Sequence, residues 1–147
     1  MVLGGNSGER AVSLDSGKAC IRALKKKKYI VSSFDPKFKN LNLIKKQKFD
    51  VIFNALHGKD GEDGIAQTYF EYLRIPYTHS GVVSSHNAMD KVISKKIFIK
   101  NNILTPSFIK FSFMNNFNIK KLTDKIFKKL KFPVVLKPIN EGSSVGV

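Results

Sequence analysis

Glu9 closes the run Gly4 Gly5 Asn6 Ser7 Gly8, where an extended start gives way to a helical pattern. From there a carboxylate can fix the ammonium group of a substrate, or simply favour the amino end of the helix. His57 opens a loop with Gly58, Gly61 and Gly64 among Asp60, Glu62 and Asp63. An imidazole in that setting can polarise a substrate carboxyl or cap its own loop. Lys91 follows Met89 and Asp90 at a helix start, and Lys137 ends the apolar run Val134 Val135 Leu136 before Pro138. As point charges both suit nucleotide phosphates, although Lys91 also reads as one more solvated helix lysine. The chain then finishes in Asn140 Glu141 Gly142 Ser143 Ser144 Val145 Gly146 Val147, a Gly and Ser loop of the phosphate-cradling kind. Neither a dinucleotide fingerprint nor a Walker loop is present. His79 and His86 have no metal-ligand spacing, so no metal is expected on this chain alone.

These groups need strands and helices to hold them. Val2 and Leu3 read as the stump of a first strand, and Ser13 is placed to cap a helix carrying Leu14, Ala19, Ala23 and Leu24. Tyr29 to Phe34 reads as a strand, Leu41 to Lys46 as a short helix, and Asp50 to Asn54 as the strand that delivers His57. Asp63 is placed to cap a helix with Ile65, Tyr69 and Leu73 toward the core, and Ile75 to Thr78 follows as an edge strand. A polar stretch of small residues opens at Ser80 and Gly81. Beyond it come a helix (Asp90 to Asn101), a strand (Ser107 to Phe113), a helix (Ile119 to Lys129) and a strand (Pro133 to Lys137). The alternation predicts an α/β fold with a parallel sheet, and open sheets of that type bind ligands at the carboxyl ends of their strands. The domain boundary is placed near Ser80, giving domains 1–80 and 81–147.

The formal net charge of +15 raises nucleic acid or an anionic membrane as partner. The lysines are instead scattered along the chain among Asn, Ile and Phe, and only Arg10, Arg22 and Arg74 are arginines, the residue favoured for bidentate phosphate contacts. A solvated surface is expected, with no nucleic-acid or membrane partner. A single cysteine, Cys20, makes no disulfide framework. Nothing at the start resembles a signal peptide and no apolar run approaches a membrane span, so a cytoplasmic address is expected.

Taken in order, four segments resemble the D-alanine:D-alanine ligase family of ATP-grasp enzymes. They are Gly4 to Leu14, Asn54 to Gly64, Ile75 to Gly81 with Met89 Asp90 Lys91, and Lys137 Pro138 with Glu141 to Gly146. The resemblance implies a Rossmann-like parallel-sheet domain followed by the first part of an ATP-grasp central domain, with the chain truncated after it. It implies that Glu9 holds the ammonium of a first D-alanine, that His57 lies against its carboxyl group, and that Ser143 joins Glu9 in orienting the site. Lys91 and Lys137, with Glu141, Ser143 and Ser144, would bind ATP. The Mg²⁺ ligands would lie beyond Val147, and the full-length enzyme would be a homodimer making D-alanyl-D-alanine for peptidoglycan. Ala11, Thr68 and His79 depart from the family pattern, which has an acidic residue at the first position and glycine at the other two. A stand-alone amino-acid-binding module without ATP chemistry is the alternative reading. On the leading reading, these 147 residues alone release no ADP in response to D-alanine, and measurable release from the purified chain would contradict it.

Overall fold

The computed structural model describes residues 1–46, 48–112, 118–142 and 146–147. Val2 lies at its centre. The Val2 amide donates to the Phe53 carbonyl (2.9 Å), and the Val2 carbonyl accepts from the Ala55 amide (2.8 Å). On the other side Leu3 donates to Phe34 and Phe34 donates to Met1. Beyond residues 52–54, Ile52 exchanges hydrogen bonds with Pro76 and Thr78. Four segments therefore lie side by side in the order 34, 2, 52–54, 77, and every bridge is parallel.

The pairing amounts to isolated bridges rather than long ladders, which corrects the expected strand lengths. Of Tyr29 to Phe34 only Phe34 bridges, and Ile30 is fully exposed. Among the described residues neither 107–112 nor 134–136 forms a β-bridge, and Val135 and Leu136 stand 67% and 61% exposed. Phe113 lies outside the described residues.

Helix α1 spans Arg10–Lys26 and begins three residues before the expected cap, with Glu9 as its N-cap residue. Ser13 is fully buried: its Oγ accepts from the Gly4 amide (2.8 Å) and donates to the Ala55 carbonyl (2.6 Å). The hydroxyl thus joins the ends of two bridged segments instead of capping a helix. One turn on, a Cβ at Gly17 would lie 2.7 Å from Leu3 Cβ, so small residues at 13 and 17 let α1 rest directly on the first segment.

Leu41–Lys46 is a single 3-10 helix and α2 spans Ile65–Leu73. The buried face of α2 is Ala66, Gln67 and Phe70; of the expected core residues Leu73 packs against the core, whereas Ile65 and Tyr69 are 46% and 36% exposed. Gly64, left-handed at φ 98°, is the N-cap residue, and Asp63 sits one place outside it, accepting from the Ile65 amide (3.1 Å) and the Asp60 amide (2.9 Å). Phe70 and Ala66 close the core with Val2, Leu41, Ile44, Ile52 and Leu56.

The small-residue stretch after Gly81 folds into an unexpected helix, α3 (Val82–Met89). Asp90 ends it and caps α4 (Lys91–Lys100), its Oδ1 accepting from Val92 (2.7 Å) and Ile93 (2.9 Å). Helix α5 spans Ile119–Lys129, as the sequence predicts. Among the described residues no helix is long and apolar enough to cross a membrane.

Ser13→Ala should leave the Gly4 amide and Ala55 carbonyl buried without their shared partner. Urea denaturation should show a loss of about 1 to 3 kcal/mol; an unchanged midpoint would mean the hydroxyl is dispensable.

Candidate functional site

Glu9 is only 4% exposed although it carries a carboxylate. Burying such a group costs several kcal/mol unless donors or opposite charge meet it, and a helix amino end is a favourable place for negative charge. Two glycines from distant parts of the chain pack on the same oxygen. A Cβ at Gly58 would lie 2.6 Å from Glu9 Oε1, and one at Gly142 would lie 2.9 Å from it. A side chain at either position would force the end of the Glu9 side chain to move, and at Gly58 the φ of 68° also favours glycine.

Ser7 ties the backbone on either side together. Its Oγ donates to the His57 carbonyl (2.7 Å) and accepts from the Glu9 amide (3.2 Å). His57 and Glu9 therefore share one hydroxyl. The His57 ring faces Glu62, with Nδ1 3.8 Å from Oε1, while Glu62 Oε2 accepts from the Gly58 amide (2.8 Å). The loop returns to the bridged core through the Gly61 carbonyl, which accepts from Asn54 Nδ2 (3.0 Å) and Gln67 Nε2 (2.9 Å).

Lys91 reaches the terminal loop from the first turn of α4. Its Nζ donates to the Ile139 carbonyl (3.3 Å) and to the Glu141 carbonyl, and its backbone amide also bonds Ile139 (3.1 Å). The lysine that sequence reading left open as a solvated residue is thus the strut that carries 139–142 toward Glu9. Lys137, which ends the apolar run, is exposed, as are Val134 to Leu136 before it. No described segment covers that face. Glu141 is exposed, and Ser143 and Ser144 lie outside the described residues.

The structure therefore brings together Glu9, His57, Gly142 and Lys91. Sequence reading passed over Ser7, Gly58 and Gly142 as site residues. A serine two places before a helix cap is the one local signal for Ser7, and for the glycines only the fold shows what they touch. His79 holds φ 81°, a region natural to the glycine of the family pattern, and rests edge-on against Phe53 with ring centroids 6.5 Å apart.

Electrostatics around the first turn are set by Arg10 and Asp35. The guanidinium forks onto the carboxylate at 2.7 and 3.1 Å. Partial burial works against ionised Asp35, but the Arg10 hydrogen bond and the Lys37 and Gly5 amides outweigh it and hold its carboxyl below the ordinary range. Asp90 is likewise lowered, chiefly by the Ile93 amide and against partial desolvation. Burial and then the hydrogen bond to Glu71 push Tyr77 up to about 12.

Two models of one family match the chain: D-ala D-ala ligase N-terminus over residues 32–80 and D-ala D-ala ligase C-terminus over 97–147. A D-alanine–D-alanine ligase of Pelagibacter ubique is 59% identical over 98% of this chain and 47% of its own length. The crystal structure of a D-alanine–D-alanine ligase from Bacillus anthracis superposes with TM-score 0.79 at 42% identity, covering 99% of this chain and 46% of that one. The complex of the Bacillus anthracis enzyme with ATP matches at TM-score 0.76 and 40% identity, over 95% of this chain and 46% of that one. The chain spans about half the length of the curated relatives it matches.

Gly58→Ala meets both a positive φ of 68° and the Glu9 carboxylate, so a stability loss of at least about 1 to 2 kcal/mol is expected in urea. Gly8→Ala, with nothing within 4 Å of its Cβ, should stay within about 0.5 kcal/mol of the parent. Equal losses would show that the carboxylate does not occupy the space between the glycines. In acid, a depressed folded-state pKa means that the Asp35 contribution is present above pH about 4 and disappears as pH falls below it. Asp35→Asn should therefore flatten the acid side of a thermal-stability profile; an unaltered profile would show that the pair does not titrate with folding.

Proposed function

We propose that this chain, which belongs to the D-alanine–D-alanine ligase family, supplies the first amino-acid site and part of the ATP phosphate site of an enzyme that joins two D-alanines. One observation carries the reading: a buried carboxylate, Glu9, is packed by Gly58 beside His57 and by Gly142 of the loop that Lys91 holds. Residues 1–80 form the amino-acid-binding domain and 81–147 begin the ATP-grasp domain.

Glu9 receives the ammonium of the first D-alanine, where a fixed anion in a low-dielectric setting is worth more than in water. His57 lies against the substrate carboxyl group, and Ser143 completes the orientation. That carboxylate oxygen attacks the γ-phosphorus of ATP, ADP departs, and the amine of a second D-alanine then displaces phosphate from the acyl phosphate to form the peptide bond. Charge builds on phosphoryl oxygens, so positioning and neutralisation supply most of the catalysis. Lys91 and Lys137 provide positive charge, and Glu141, Ser143 and Ser144 complete the nucleotide contacts. ATP brings Mg²⁺ chemistry with it, but the described residues hold no group of three acidic, imidazole or thiol side chains fit to ligate the ion. The enzyme works as a homodimer in the cytoplasm, and its product enters peptidoglycan synthesis.

In the full-length protein carrying these residues, Glu9→Gln should raise the apparent KM for the first D-alanine roughly 10- to 100-fold, or about 1.5 to 3 kcal/mol, with ATP dependence little changed. Ser143→Ala should weaken the same site less, and the double variant should cost less than the sum of the two. An unchanged D-alanine dependence in Glu9→Gln would reduce Glu9 to a helix-end carboxylate.

A further inference from the structure

Arg10 stands next to Glu9 and reaches back across the turn that precedes it. Its Nη1 donates to the Gly5 carbonyl (2.8 Å) and to Asp35 Oδ1 (3.1 Å), and its Nη2 donates to Asp35 Oδ2 (2.7 Å). Asp35 Oδ1 also accepts from the Gly5 amide (3.0 Å) and the Lys37 amide (2.9 Å). Both backbone groups of Gly5 are thereby engaged. A Cβ at Gly4 would lie 2.5 Å from Asp35 and 2.7 Å from Arg10, so the turn can approach the pair only with glycine there. At the other end of the turn the Arg10 amide bonds the Ser7 carbonyl (3.1 Å), and the Phe38 ring covers the guanidinium at 5.5 Å. Pro36, next to Asp35, walls a cavity of about 50 Å³ between the turn and His57.

Residues 4–10 are thus closed into a ring whose fastener is the Arg10 fork, and Glu9 is a member of that ring. We infer that Arg10 and Asp35 are a positioning pair that sets where the Glu9 carboxylate stands between Gly58 and Gly142. The polar contacts of the pair are to each other and to the backbone of Gly5 and Lys37. The pair acts through the Gly4–Gly8 turn, and its consequence for turnover rests on Glu9 being the proposed ammonium ligand. A planar five-donor fork is required, because one terminal ammonium cannot meet two carboxylate oxygens and a carbonyl in fixed geometry.

The test compares Arg10→Lys and Asp35→Asn with Arg22→Lys, the same chemical change elsewhere on α1, in the full-length protein. Steady-state kinetics and backbone amide exchange are measured on each. Arg10→Lys should raise KM for the first D-alanine about tenfold or more with KM for ATP within about twofold, since small misplacements of a binding group cost that much. Exchange of the Gly5 and Glu9 amides should quicken selectively in both pair variants, and Arg22→Lys should change neither readout. Unchanged Gly5 and Glu9 exchange, or a uniform quickening along α1 with unaltered D-alanine KM, overturns the inference. A parent protein that does not turn over D-alanine overturns the ligase reading instead; selective exchange at Gly5 and Glu9 then still supports the positioning pair, and its absence still refutes it.

Discussion

A carboxylate at 4% exposure is the constraint around which the described structure is arranged. Placing a negative charge among packed backbone is unfavourable by several kcal/mol unless the surroundings are fixed to receive it. Three separate pieces of chain are committed to that purpose: the turn before α1, the loop after residues 52–54, and the segment that leads into 143. Two of them contribute a glycine against the same oxygen. A rigid anion among fixed neighbours is worth most when its ligand must be held still for attack elsewhere.

The scaffold serves this arrangement through short connections. Val2 bridges both Phe34 and Asn54, so it places the Gly4 turn and the His57 loop side by side from a single position. Ser13 fastens the start of the turn to Ala55, while Ser7 fastens its end to His57. Lys91 carries the terminal loop from the opposite direction, and Asp90 fixes Lys91 at the start of α4. Hydrophobic packing by Phe70, Ala66 and Ile52 closes the core on the bridged segments.

Much of this was legible in the sequence because local chemistry announces it. Glycine runs marked the turns, the Asp90 cap was readable beside its lysine, and α5 followed from its spacing. The motif order pointed to the ligase family, which the matches bear out. What sequence left hidden depends on neighbours distant in the chain. Ser13 looks like a cap until Gly4 and Ala55 are seen on either side of it. Ile65 and Tyr69 have apolar side chains at helical spacing, yet Gly64 starts α2 at an angle that turns Ala66, Gln67 and Phe70 inward. Strand length was overestimated because apolar composition reports the tendency to pair, whereas the backbone pairs only as single bridges at residues 2, 34, 52, 54 and 77. Gly142 and Gly58 are ordinary loop residues in sequence, and only their shared approach to Glu9 gives them a role.

Recognition of an ammonium group by the Glu9 carboxylate can be measured with two ligands that differ in that group alone. Calorimetric titration of D-alanine and of propionate, the acid of equal carbon length without the amine, is to be run on the full-length protein and on Glu9→Gln. Glu9→Gln should weaken D-alanine binding roughly 10- to 100-fold while leaving propionate as weak as before. Equal shifts for both ligands, or none for either, would contradict it.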